Sequence, residues 1–254
     1  MRSTAFLQRL LTSCLMALAP AMAQAGSAQI AVAANFAEPI KALAAQLQRA
    51  TGHTIRVSLG ATGTLYAQIK NGAPFDAFLA ANREAPEALE KDGLASPGSR
   101  FTYARGQLVL WSAQPGRVDP QGAVLKRSDL GKVAYANPKT APYGAAAVQL
   151  MASMGLSEAL QPRLVQGQGI GQTFAFVHSG NADVGFVALS QVMEKGQLKS
   201  GSMWQPPTDL YAPIEQDAVV LQRGANNPAA SALMQLIKSP QGQTLILSHG
   251  YSSR

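Results

Sequence analysis

Short apolar runs that end in a polar or glycine turn, each followed by apolar positions at helical spacing, recur along this chain. Gln29-Ile-Ala-Val-Ala-Ala34 reads as a first strand, apolar enough to be buried on both faces as parallel strands are. Asn35 follows it. Phe36, Ile40, Leu43 and Leu47 then keep helical spacing up to Thr51-Gly52, with Glu38 placed as in a capping box that Asn35 would open. From Thr54 to Leu59 apolar and polar residues alternate as in a strand. Gly60-Ala-Thr-Gly63 breaks it, and Thr62 stands where a helix N-cap would stand, before Leu65 and Ile69. Phe75 to Ala81 is a third strand, followed by a charged helix over 84–91 that Gly93 ends.

The same grammar continues after a change of character between Phe101 and Trp111. Gln107 to Trp111 is a strand beyond a bend at Arg105-Gly106, and the passage from Pro115 to Gln121 is turn-rich. Lys132 to Ala136 is a strand that ends in Asn137-Pro-Lys-Thr-Ala-Pro-Tyr143-Gly144 and opens onto a helix carrying Val148, Met151 and Met154. Leu164-Val165 leads through Gly167-Gln-Gly-Ile-Gly171 into a helix with Phe174, Phe176 and Val177. Asp183 to Ala188 is a buried strand, and Ser190 starts a short helix to Gly196. After Pro206-Pro207 an extended stretch runs from Leu210 to Leu221. Asn227-Pro228 and Ser239-Pro240 each place a cap residue before a proline at the first helical position, so two helices close the chain.

Alternating strands and helices imply βαβ units. The expected fold is α/β with two lobes, each a mostly parallel sheet flanked by helices, joined by two extended crossings near residues 102–110 and 209–218. The lobes are expected at 26–104 with 216–254, and at 105–215. Ligands of such sheets bind beyond the carboxyl ends of the strands, where all four polar turns lie.

Composition adds an address. Arg2 and Arg9 precede a short apolar run, and Ala21-Met-Ala23 and Ala23-Gln-Ala25 suit a signal peptidase, so residues 1–25 read as a removed export leader and the protein as periplasmic. Leu11-Thr-Ser-Cys14 has the look of a lipoprotein box, but the apolar segment before Cys14 is interrupted by Arg9. Cys14 is the only cysteine, so a mature chain has no disulfide and no thiolate chemistry. The chain has 21 basic and 14 acidic residues, and loss of Arg2 and Arg9 leaves 19 against 14, net +5. The basic residues are scattered rather than clustered, which argues against a nucleic-acid surface and leaves a mild bias toward an anionic ligand.

The turns suggest what that ligand touches. A small polar residue at a helix start leaves backbone N–H groups unpaired beside the positive end of the helix dipole, and that is an anion seat. One such turn is ordinary capping; four at the same end of the sheets are more than that. Enzyme signatures are missing from the sequence. His53, His178 and His249 are isolated, there is no Gly-x-Ser-x-Gly elbow or Walker loop, and Gly167-x-Gly-x-Gly171 closes one residue too early for a dinucleotide turn. Asp76 and Asp183 sit at strand starts, away from the ligand end, and Trp111 and Trp204 read as packing residues.

In the order and spacing of its motifs the chain resembles the periplasmic molybdate-binding proteins of ABC transporters, a type II periplasmic solute-binding family. The resemblance runs from Ala31-Val-Ala-Ala-Asn-Phe through Gly60-Ala-Thr-Gly-Thr-Leu and Gly72-Ala-Pro-Phe-Asp-Ala-Phe-Leu-Ala-Ala to Ala182-Asp-Val-Gly-Phe-Val-Ala-Leu-Ser and Ser239-Pro-Gln-Gly. It implies a two-lobed monomer that closes on one tetrahedral oxyanion, molybdate or tungstate. The anion is held through its oxygens without direct protein–metal ligands or a cofactor, and is delivered to an inner-membrane permease. The resemblance places contacts on Asn35 with Ala34 beside it, on Thr62, on Tyr143 and on Ile170 with Gly171 next to it. Many members carry a tyrosine where this chain has Ala188, and the expectation is that the Tyr143 hydroxyl replaces it.

The chemistry of the residues agrees. Molybdate near neutral pH is an unprotonated dianion whose four oxygens all accept, so its site should present only donors, here the Asn35 amide, the Thr62 and Tyr143 hydroxyls and helix-start N–H groups. Phosphate keeps a proton and would want an acceptor, whereas sulfate differs mainly in size. Two classes stay open at this stage: an oxyanion receptor, for molybdate or for sulfate or another tetrahedral oxyanion, and a periplasmic enzyme acting on a phosphate or sulfate ester, which would need a general base near the turns.

Overall fold

The computed structural model describes residues 25–253; the leader segment and Cys14 lie outside the described residues. In chain order it begins with β1 (Ser27–Ala33), a 3-10 turn (Ala34–Phe36), α1 (Ala37–Thr51), β2 (Thr54–Gly60), α2 (Thr62–Lys70), β3 (Ala77–Leu79), α3 (Glu84–Lys91) and β4 (Phe101–Gly106). The middle of the chain supplies β5 (Leu108–Ser112), β6 (Val133–Ala136), α4 (Pro142–Ser153), α5 (Ser157–Leu160), β7 (Leu164–Gly167), α6 (Ile170–His178), β8 (Val184–Ala188) and α7 (Leu189–Val192). A hairpin of β9 (Met193–Glu194) and β10 (Gln197–Leu198), then β11 (Ser202–Trp204), β12 (Ile214–Val220), α8 (Pro228–Lys238) and α9 (Pro240–Ser248) complete it.

Two five-stranded sheets result, ordered β2-β1-β3-β12-β4 and β11-β5-β8-β6-β7. β1 is parallel to β2 and to β3, and β6 is parallel to β7 and to β8. β12 runs antiparallel to β3 and β4, and β5 antiparallel to β8 and β11. The sheets are therefore mixed rather than mostly parallel, because β12 and β5, the strands by which the chain enters each lobe from the other, run against the βαβ direction. The crossings are short: Gln107 separates β4 of the first sheet from β5 of the second, and Tyr211 to Pro213 lead back into β12. Lobe borders at 104/105 and 215/216 thus fall inside β4 and β12.

β1 is buried on both faces, with Ile30, Ala31 and Val32 fully enclosed. α1 turns Ile40, Leu43 and Leu47 onto it and ends at Gly52 in the left-handed region, whose N–H bonds the Gln48 carbonyl. The two closing helices start as their sequences demand: Asn227 accepts from Ala229 and Ala230 N–H, and Ser239 from Gly242 N–H. The second lobe packs Val133, Val184 and Phe186 of its sheet against Ala147, Leu150 and Met151 of α4.

Several local expectations are corrected. Asn35 does not cap α1: the 3-10 turn intervenes, Phe36 takes the cap position, and Glu38 pairs with Lys41 at 2.8 Å instead of closing a box. Thr62 is the first helical residue of α2, with Ala61 at the cap. In both cases a tertiary partner, described below, outcompetes the local bond. β3 keeps only Ala77–Leu79 of the expected 75–81, and the short helix at Ser190 stops at Val192 because the chain turns back through Lys195 and Gly196, both at positive φ. The expected bend at Arg105-Gly106 is the end of a full strand, β4, and β11 carries Trp204 where no strand was expected.

Candidate functional site

The four strand–turn–helix junctions converge between the lobes. Ala33 ends β1, and Ala34 and Asn35 follow it; Gly60, Ala61 and Thr62 join β2 to α2; Ala141, Pro142 and Tyr143 open α4; and Ile170 opens α6. Together with Ala81 they line one small cavity. Two open clefts flank it where the lobes face each other. One is lined by Arg83, Glu87, Lys139 and Glu215, the other by Glu38, Leu59, Gln172, Phe174 and Lys199.

Of the expected contacts, Ala34, Asn35, Thr62, Tyr143 and Ile170 all reach the cavity. Gly171 does not; it lines the second cleft beside Gly169 and Gln172, one residue further along α6. Ala188 ends β8 fully buried and is absent from the cavity wall.

No carboxylate, ammonium or guanidinium lines the cavity. Its polarity comes from the backbone. Thr62 and Ile170 are first residues, and Tyr143 the second residue, of their helices, positions whose N–H groups have no intrahelical acceptor. Ala34 and Asn35 stand likewise at the start of the 3-10 turn. Three α-helix N-termini aimed at one point each bring about half a positive charge, which favours an anion in an uncharged shell.

The side chains divide differently from expectation. Thr62 is buried, and its hydroxyl oxygen accepts the Ala81 N–H at 3.0 Å, which leaves its hydrogen as a donor. Asn35 is buried too, but both its amide hydrogens are taken behind the cavity, by Gln216 Oε1 and the Tyr251 hydroxyl, each at 2.9 Å. The Asn35 amide is therefore not a free donor in this arrangement, and its Oδ1 is buried without a partner. Tyr143 likewise turns its hydroxyl away: Gln216 Nε2 donates to it at 3.1 Å, close above Gly106, where a β-carbon would come within 2.1 Å of the phenol oxygen. What Tyr143 brings to the cavity is its helix-start N–H, so it does not supply the missing hydroxyl at Ala188. Burial, then the neighbouring Tyr251, push the Tyr143 phenol well above its ordinary range, so it stays protonated.

Behind the cavity lies a buried polar cluster that sequence reading missed. Tyr103 donates toward Ala80 O at 3.0 Å and Gln216 Oε1 at 2.9 Å, Tyr251 to the Asn35 carbonyl at 2.8 Å, and Ser190 Oγ to that same carbonyl at 2.8 Å. The one available signal was Gln216-Asp217 between the apolar ends of a strand, since polar residues buried in a strand need partners.

The other candidates have structural occupations. His53 accepts the Gly26 N–H at 2.9 Å, His178 stacks on Phe174 at 5.4 Å, and His249 Nδ1 lies 2.9 Å from the Leu245 carbonyl. Asp76 accepts the Gln29 N–H at 2.7 Å, and Asp183 is held by Arg117. Trp111 is buried against Phe174 at 5.2 Å, and Trp204 packs over Gly122. Among the described residues no group of three or more His, Cys, Asp or Glu could hold a metal ion.

Against known proteins, residues 28–252 match the family model described as bacterial extracellular solute-binding protein. The chain is 54% identical over 245 residues to the molybdate-binding protein ModA of Azotobacter vinelandii, covering 96% of this chain and 97% of that one. It is 51% identical over 229 residues to the protein of the same name from Rhodobacter capsulatus, covering 90% and 89%. The solved structure of an Azotobacter vinelandii periplasmic molybdate-binding protein superposes with a TM-score of 0.85 at 41% identity, covering 89% of this chain and 99% of that one.

Proposed function

The chain belongs to the bacterial extracellular solute-binding proteins, and from that premise we propose that it is a periplasmic receptor that captures molybdate, or tungstate, and delivers it to an ABC permease. The observation that carries this reading is the cavity itself: small, walled by helix-start N–H groups and the Thr62 hydroxyl, and free of any ionised side chain. A dianion with four accepting oxygens is satisfied there by donors alone, each charge-assisted bond contributing about 1.5–3 kcal/mol. A carboxylate in the wall would repel it; an arginine would hold any anion regardless of shape.

The backbone N–H groups of Asn35, Thr62, Tyr143 and Ile170 and the Thr62 hydroxyl form the inner contacts, with Ala34 and Gly171 flanking them. The lobes, 26–104 with 216–254 and 105–215, close on the anion about the β4–β5 and Tyr211–Pro213 crossings, and the closed form is what the permease reads. The receptor works as a monomer, is exported by a leader ending near residue 25, and binds without turnover: the cavity wall has no carboxylate to act as a base, and Glu38, Glu84, Glu87 and Glu215 line the open clefts, with Glu38 paired to Lys41 and Glu215 to Arg83.

The test is the unfolding midpoint of the mature chain with molybdate, tungstate, sulfate, phosphate or buffer alone. Ligand at about a thousand times its dissociation constant adds on the order of 4 kcal/mol, several degrees for a chain of this size. A rise with molybdate and tungstate only is expected. An equal rise with sulfate widens the ligand class to deprotonated tetrahedral oxyanions. No rise with any anion, or steady release of product from a phosphate or sulfate ester, overturns the reading.

A further inference from the structure

The polar cluster behind the cavity does not balance as it stands. Asn35 Oδ1 is buried with no donor, although Asn35 is only 2% exposed and lines the cavity. With Nδ2 turned back to Gln216 and Tyr251, Oδ1 is the amide atom left to face the anion, the wrong pole for a dianion. The Tyr103 hydroxyl has one hydrogen for two acceptors, Ala80 O and Gln216 Oε1, whereas the Tyr143 hydroxyl serves only as an acceptor.

A carboxamide keeps its shape when its oxygen and nitrogen exchange places. Turning Asn35 and Gln216 together repairs every fault at the same heavy-atom distances. Gln216 Nε2 then donates to Asn35 Oδ1 across 2.9 Å and to the Tyr103 hydroxyl across 2.9 Å. The Tyr103 hydrogen is left for Ala80 O alone, the Tyr143 hydrogen gains Gln216 Oε1 at 3.1 Å, and the one Tyr251 hydrogen moves from the Asn35 carbonyl, which Ser190 Oγ still serves, to Asn35 Oδ1 across 2.9 Å. The Asn35 amide hydrogens come round to the cavity. Neither residue can turn alone, since that would set two oxygens or two NH2 groups against each other.

We propose that Gln216 is a positioning residue for anion binding: with the oxyanion bound, its amide is reversed together with that of Asn35, so that Gln216 Nε2 holds Asn35 Oδ1 and the Asn35 NH2 group donates to the anion. Gln216 is fully buried, 181 residues from Asn35, and sits where β12 shifts register, which aims its side chain at the cluster. Gly106 leaves the room that Gln216 Nε2 and the Tyr143 hydroxyl occupy. This inference rests on the oxyanion reading of the cavity.

The experiment is a double-mutant cycle on molybdate affinity by calorimetry, with Gln216→Glu, Asn35→Ala and the pair. A carboxylate at position 216 can only accept, so it pins the Asn35 hydrogens behind the cavity; the single variant should bind molybdate roughly tenfold or more weakly, the worth of a bond to a charged group. In the Asn35→Ala background the same change should cost less than about threefold. Equal losses in both backgrounds mean plain charge repulsion and overturn the proposal, as does wild-type affinity in Gln216→Glu. Should the variants fail to fold, the wild-type chain answers by nuclear Overhauser contacts: those from the Asn35 amide hydrogens to the Tyr251 ring should vanish at saturating molybdate, and their persistence overturns the proposal. A wild-type chain that binds no molybdate instead removes the underlying function, a distinguishable result.

Discussion

Ser190 Oγ of the second lobe donates to the Asn35 carbonyl of the first at 2.8 Å, both residues buried, directly behind the cavity. The bond exists only while the lobes are together, so it biases the closure equilibrium without touching the anion. Ser190→Ala should weaken molybdate binding by about fivefold, the effect of losing roughly 1 kcal/mol from the closed state. The unfolding midpoint without ligand should hardly move. Calorimetry on the variant checks it; unchanged affinity would mean that the bond is equally made in the open form.

Thr62 has two duties that one substitution separates from its shape. Its oxygen accepts the buried Ala81 N–H at 3.0 Å, and its hydrogen is free for the anion. Thr62→Val keeps the volume and loses both, so the ligand-free chain should lose about 1–3 kcal/mol from the orphaned N–H, on top of weakened binding. Thr62→Ser should stay near the parent in both. Denaturant midpoints and molybdate titrations read the two effects separately, and a valine variant of unchanged stability would refute the first.

The second lobe carries an ion pair with a definite pH signature. Burial raises the Asp183 carboxyl, but the Arg117 guanidinium and the Gly131 N–H outweigh it and hold the group below its ordinary 3.8. A depressed carboxylate contributes stability that is full above the unfolded value and lost as pH falls through the folded one. Unfolding midpoints should therefore decline as pH drops from about 5 toward 3, and Asp183→Asn should be less stable than the parent at pH 7 while losing less over that window. Parallel curves for the two proteins would count against this assignment.

What could be read from the sequence follows the range of the forces involved. Strand–turn–helix junctions are placed by local pattern, so their gathering at one end of the sheets was legible, whereas Tyr143 and Ile170 were singled out only through the resemblance, with Tyr143 expected to act through its hydroxyl. The side-chain orientations were not legible, because they depend on Gln216, Tyr251 and Ser190, brought to Asn35 from 155 to 216 residues away. Asn35 looked like a helix cap because capping is the local use of an asparagine; a buried Gln216 and Tyr251 offer more than a solvated helix start does. The mixed character of the sheets escaped for the same reason, since strand direction in β5 and β12 is decided by where the crossings return rather than by the residues in the strand.

Gly63 and Thr140 meet backbone to backbone across the cleft: Gly63 N–H donates to the Thr140 carbonyl at 2.9 Å, and a β-carbon on Gly63 would lie 3.0 Å from Thr140 Cα and 3.3 Å from its oxygen. Contact that tight requires one side to retreat by a few tenths of an ångström, and here the side that can retreat is the opposite lobe. Gly63 sits in the first turn of α2 without positive φ, so alanine suits its own helix and should add up to about 1 kcal/mol to the ligand-free chain. Gly63→Ala should thus raise the unfolding midpoint slightly and weaken molybdate binding severalfold, since full closure both buries the anion and closes this gap. The opposed signs matter: a packing defect lowers both quantities together, and only a substitution that acts on closure lets stability rise while affinity falls.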